Sequence, residues 1–96
     1  MTITPVTPIA GLASQVVTGG VAVTAVGPNP NGGFITNPST AAGPIYVNPV
    51  GVAVNAANGT NFAIWPGATW NIIPGQTTPT SVNAPDSAHP FSVVSW

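Results

Sequence analysis

Lysine, arginine and cysteine are absent from these 96 residues, and Asp86 is the only acidic side chain. Soluble domains usually carry charge on about a quarter of their residues; here the share is 1%. Each absence removes a class of function. Without basic side chains nothing neutralises phosphates, so nucleic acid is not an expected partner. Attachment to an anionic membrane surface is not expected for the same reason. Without cysteine there is neither a disulfide staple nor a thiolate metal site. A membrane-crossing helix needs about 20 continuous apolar residues. The best stretch, Ile9 to Val26, is interrupted by Ser14, Gln15, Thr18, Gly19, Gly20 and Thr24. Met1-Thr-Ile-Thr-Pro5 lacks the positive start of a secretory signal, which predicts cytoplasmic synthesis without export by that route. A formal net charge of −1 provides little repulsion between copies.

Twelve prolines and eleven glycines are spread along the chain, and each penalises a helix interior by about 3 or about 1 kcal/mol respectively. The segments between them are β-branched and alternating, which favours strands. Strands are expected at Gln15-Val-Val-Thr18 and Val21 to Val26, with Gly19-Gly20 as the hairpin turn between them. Further strands are expected at Phe34 to Thr36, Ile45 to Asn48, Gly51 to Val54, Phe62 to Trp65, Thr69 to Ile73, Thr80 to Asn83 and Phe91 to Trp96. Gly27-Pro-Asn-Pro-Asn-Gly-Gly33 is a loop, Asn58-Gly59 a turn, and Pro66-Gly67 and Pro74-Gly75 suit the centres of type II turns. Turn signals every 8–12 residues or so suggest a sandwich or barrel. Three Trp, three Phe and one Tyr, with a positive mean hydropathy, argue against disorder. The expected fold is therefore all-β: one antiparallel β-sandwich or barrel domain over 11–96, preceded by an extended N-terminal arm over 1–10, where Pro5 and Pro8 favour an extended backbone.

Catalytic chemistry has few candidates. Asp86, Ser87 and His89 include the only acid and the only histidine. Residues so close within a proline-bounded turn do not line up as nucleophile, base and orienter. Pro85-Asp86-Ser87 reads instead as a turn in which Asp86 caps nearby amides, and His89 as a turn histidine preceding Pro90. One histidine and one carboxylate fall short of the four ligands usual for zinc. The expectation is no catalytic residue, no metal and no cofactor. His89 is still the side chain whose charge can change between about pH 5 and 8.

The aromatics offer more. Alternation puts Trp70 and Ile72 on one inward face with Asn71 opposite, and sets Phe91 and Val93 opposite Val94 and Trp96. Edge strands in β proteins are commonly blunted by charge, which this chain lacks, so coverage by a neighbour is expected. The residues proposed for such contacts are Ile3, Val6 and Ile9 in the arm, with Tyr46, Trp65, Trp70 and Trp96 for packing. Asn58-Gly-Thr60 matches the N-glycosylation pattern but reads more simply as a turn.

Ile45-Tyr-Val-Asn-Pro49, Gly59-Thr-Asn-Phe62, Trp65-Pro-Gly67 and Phe91-Ser-Val-Val-Ser-Trp96 together resemble segments of small structural proteins of tailed bacteriophages. The resemblance runs from about Gly33 to Trp96. It implies a β-rich, commonly trimeric virion component: a capsid decoration or cement protein, or the base of a head fibre. The implied partner is a major capsid protein or another virion protein, with homo-oligomerisation. The total absence of basic residues departs from any charge-based docking scheme. Other readings of the same residues are a carbohydrate-binding or adhesive module using exposed Trp65 or Trp70, and a self-assembling fibre subunit.

Overall fold

A computed structural model of the chain describes residues 7–96. Ten strands follow one another: β1 Ile9–Ala10, β2 Gln15–Val16, β3 Val23–Val26, β4 Gly33–Thr36, β5 Ile45–Asn48, β6 Phe62–Ile64, β7 Thr69–Asn71, β8 Thr80–Asn83, β9 His89–Pro90 and β10 Ser92–Ser95. No helix occurs among the described residues, as the density of Pro and Gly requires. One four-stranded sheet runs β1-β10-β4-β7, a second runs β3-β8-β5-β6, and β2 pairs with β9 in a two-stranded ribbon. Every pairing is antiparallel. The all-β, sandwich-like fold expected from the sequence is the fold observed.

The core lies between the two larger sheets. Ile35 and Ile72 enter it from one side, with Phe91 leading into β10; Ile45, Val47, Ile64 and Val82 enter from the other. In β3 the register slips between Thr24 and Val26. This bulge turns two successive residues, Ala25 and Val26, toward the core where strict alternation would bury one. Phe62 and Trp70, on the edge strands of opposite sheets, stack with ring centroids 4.7 Å apart and close one side of the sandwich.

The strands β5 and β8 fall where the alternation placed them, and β4 extends one residue earlier. Pairing is less local than the turns suggest. Gly19-Gly20 does form a turn, with the Val21 N–H donating to the Thr18 carbonyl at 3.0 Å. It does not make a hairpin: β2 joins β9 and β3 joins β8. Gly19 lies so close to the Pro85 carbonyl that a Cβ would approach its oxygen to 2.3 Å, so this turn packs on a distant segment instead of folding its flanks together. The Pro66-Gly67 turn forms as expected, with Gly67 at φ 86° and the Ala68 N–H on the Trp65 carbonyl at 2.9 Å. It passes the chain from one sheet to the other, since β6 pairs with β5 and β7 with β4.

Gly51 to Val54 is not a strand. β8 already has β3 and β5 on its two edges, so no ladder position remains beside it. The segment instead crosses the outer face of β8, held by side chains. The Ala53 N–H donates to Ser81 Oγ at 3.0 Å and its carbonyl accepts from Asn83 Nδ2 at 3.0 Å. Asn61 Oδ1 accepts the Val54 N–H at 3.0 Å, and Asn48 Oδ1 accepts the Val50 N–H at 3.0 Å. This cover explains why all four residues of β8 are buried.

Candidate functional site

Two features could carry function: a buried polar relay at one end of the sandwich and an uncharged aromatic face on one sheet.

The relay begins with Asn37, just beyond β4 and fully buried. Its backbone holds the Trp65-to-Ala68 corner, donating to the Ala68 carbonyl at 3.1 Å and accepting from the Gly67 N–H at 2.8 Å. Its Nδ2 donates to the carbonyls of Gly43 at 3.0 Å and Ile64 at 2.9 Å. Both partners accept only, so the orientation of the amide is settled and Oδ1 faces away from them. Oδ1 lies 2.8 Å from Nε2 of His89. The other ring nitrogen, Nδ1, lies 3.0 Å from Oδ1 and 3.1 Å from Oδ2 of Asp86. His89 is 2% exposed, whereas the Asp86 side chain is 46% exposed. The hydrogen bond from the ring holds the Asp86 carboxyl below its ordinary range. Slight desolvation opposes this, while its own backbone amide and the ring's charge reinforce it.

These positions correct two expectations. His89 is not a turn residue but a buried member of β9, paired with Val16. The main partner of Asp86 is that ring rather than turn amides. Ser87 stands apart from the ring: its Oγ accepts the Gly19 N–H at 2.9 Å. Ala88 completes the turn at φ 53°, a left-handed backbone that a side chain bearing Cβ adopts at a cost. No group of three or more His, Asp, Glu or Cys side chains suited to a metal occurs among the described residues. Asn37 was not among the residues singled out from the sequence, where it falls between the expected strands Phe34 to Thr36 and Ile45 to Asn48. No local signal marks it, because its partners are distant along the chain.

The aromatic face is the outer surface of β1-β10-β4-β7. Register sets Val94 opposite Phe34, and Phe34 opposite Asn71, so these share the side facing away from the buried Ile35. Trp96 follows Val94 in the same alternation and meets Phe34 edge-on, with centroids 6.4 Å apart. Phe34 is 38% exposed. Hydroxyls border the patch: Thr36 and Thr69 sit side by side with Oγ1 atoms 2.9 Å apart, and Ser92 pairs with Thr36.

Of the residues proposed for contact from the sequence, those described do not converge on one surface. Ile3 and Val6 lie outside the described residues. Ile9 is exposed, but in β1, paired with Ser95, so the chain from Ile9 onward belongs to a sheet. Tyr46 is half-buried and lies beside Asn83 and Ala63 on the outer side of the second sheet. Trp65 is 61% exposed at the corner. Trp70 turns inward against the core, as alternation predicts. Among those described, only Trp96 belongs to the aromatic face.

Comparisons with protein-family models, with curated proteins and with solved structures return no match to this chain.

Proposed function

We propose that this chain is a non-catalytic virion structural protein, a decoration or cement module that docks on a phage capsid. The observation that carries the reading is the outer face of β1-β10-β4-β7. There Phe34, Val94 and Trp96 present apolar surface among the hydroxyls of Thr36, Thr69 and Ser92, with no charged side chain. Aromatic side chains bury about 150–250 Å² each, so a few of them suffice to anchor an interface. The resemblance of Gly33 to Trp96 to tailed-phage structural proteins supplies the virion setting. The proposed partners are a major capsid protein and further copies of this chain, with a trimer favoured. Trp70, being turned into the core, is no longer among the proposed anchors.

The test is binding of the purified chain to capsids lacking it. Retention in molar salt is expected, because almost no charge is available to screen, together with a raised melting temperature of the particle. Phe34→Ser and Trp96→Ala are each expected to weaken binding about 30-fold, the scale of an interfacial hot spot. Attachment that fades steeply with salt, or survives both substitutions, overturns the proposal.

A second reading rests on the exposure of Trp65 at the Pro66-Gly67 corner: a sugar ring stacking on the indole. Saccharide-dependent tryptophan fluorescence that disappears in Trp65→Ala would favour it over docking.

A further inference from the structure

We propose that the Asp86, His89 and Asn37 chain is a proton-dependent latch, closed on doubly protonated His89, that pins the turn Pro85 to Ala88 and opens when the ring loses one proton. This goes beyond docking and does not depend on it.

The argument is one of donors and acceptors. Asn37 Oδ1 can only accept, and it cannot exchange places with Nδ2 without losing the bonds to Gly43 and Ile64. The ionised Asp86 carboxylate also only accepts. Both ring nitrogens therefore face acceptors, at 2.8 Å and 3.0 Å. Only an imidazole carrying protons on both nitrogens satisfies both. A neutral ring has one proton for two acceptors, and one contact must fail.

Burial decides which contact fails. Asn37 is fully buried and fixed by four other hydrogen bonds, so an unsatisfied Oδ1 there has no water to turn to. Asp86 is half-exposed, and water can replace the ring. The remaining proton therefore stays on Nε2, and the Nδ1 lone pair confronts the carboxylate and repels it. This is the reverse of the common pairing in which a carboxylate keeps a proton on Nδ1.

The released segment is already strained. Ala88 sits at φ 53°, and the turn is otherwise tied by the Ala88 N–H on the Val17 carbonyl at 3.0 Å and the Gly19 N–H on Ser87 Oγ at 2.9 Å. Asp86, Ala88 and Pro90 also form one wall of a groove of about 170 Å³ whose other wall is Pro38, Thr40 and Ala42. Opening the latch therefore changes that groove. Among the described residues no other ionisable group faces the ring. Val16 opposes it on β2 and Asn37 beyond β4, Tyr46 lies on the outer side of the opposite sheet, and Trp96 lies past the other end of β10, against Gly32.

The experiment is a pH titration of the ¹⁵N-labelled chain by NMR, in which the one histidine gives unambiguous ring signals. On the acid side both nitrogens should carry protons. On the alkaline side the ring should be wholly the Nε2–H form. In step with that change, the Gly19 and Ala88 amides should lose on the order of tenfold in exchange protection, the scale of a hydrogen bond to a charged group. In Asp86→Asn the new amide can donate to the Nδ1 lone pair, so the protection step should vanish with the latch closed at alkaline pH. A neutral ring protonated on Nδ1, unchanged protection through the titration, or a step that persists in Asp86→Asn overturns the inference.

Discussion

Asn37 and His89, 52 residues apart in sequence, meet in the interior with Oδ1 and Nε2 separated by 2.8 Å. Through this contact the corner that carries the chain between the two larger sheets is joined to the ribbon formed by β2 and β9. Neither residue is accompanied by a buried charge of opposite sign. The one carboxylate reaches the ring from the surface side, so the cluster is satisfied mostly by backbone carbonyls and an amide.

Asn37→Ala removes three side-chain partners at once and leaves the Ile64 carbonyl and the His89 ring without a replacement. Loss of several buried hydrogen bonds from one network should cost about 3–5 kcal/mol in urea denaturation. Asn37→Asp should be destabilising as well, because its second oxygen would face the carbonyls of Gly43 and Ile64 where a donor is needed.

Acid should weaken the fold through Asp86. The His89 bond holds this carboxyl below its ordinary range in the folded protein, while the unfolded chain titrates near the usual aspartate value of about 3.9. At acid pH the unfolded state thus binds the proton more readily. The contribution is present above that value for as long as the ring donates to the carboxylate, and is lost as pH falls through it toward the lower folded value. Urea midpoints measured down a pH series should fall in this window for the natural chain, and the fall should be shallower in Asp86→Asn.

Ala88→Gly should stabilise by about 0.5–1 kcal/mol, since glycine adopts positive φ without the Cβ clash that alanine suffers. A rise in thermal midpoint checks it. No change would mean that the extra freedom of glycine in the unfolded chain offsets the strain relieved.

Two Asn-Gly pairs should age differently. Deamidation requires the glycine nitrogen to swing onto the asparagine side chain, which needs local freedom. Asn58-Gly59 lies in an exposed turn. Asn31-Gly32 is tied at both residues to Trp96, through the Asn31 N–H and the Gly32 carbonyl. Peptide mapping after mild alkaline incubation should show conversion at Asn58 well ahead of Asn31.

Sequence alone determined the absence of helix among the described residues, the nearly uncharged surface, the turns at Pro66-Gly67 and Asn58-Gly59, and strands such as Ile45–Asn48 and Thr80–Asn83. These depend on φ/ψ preferences and alternation within a few residues, which local composition dictates. Tertiary structure decided which strand lies beside which. Gly19-Gly20 turned as its residues require, yet its flanks found partners in β8 and β9. Gly51 to Val54 has the composition of a strand but met an occupied ladder, and polar side chains of β8 hold it across the sheet instead. The same holds for the relay. A histidine before a proline looks like a turn residue until the fold places Val16 and Asn37 around it, because burial and hydrogen-bond satisfaction belong to neighbours that sequence distance conceals.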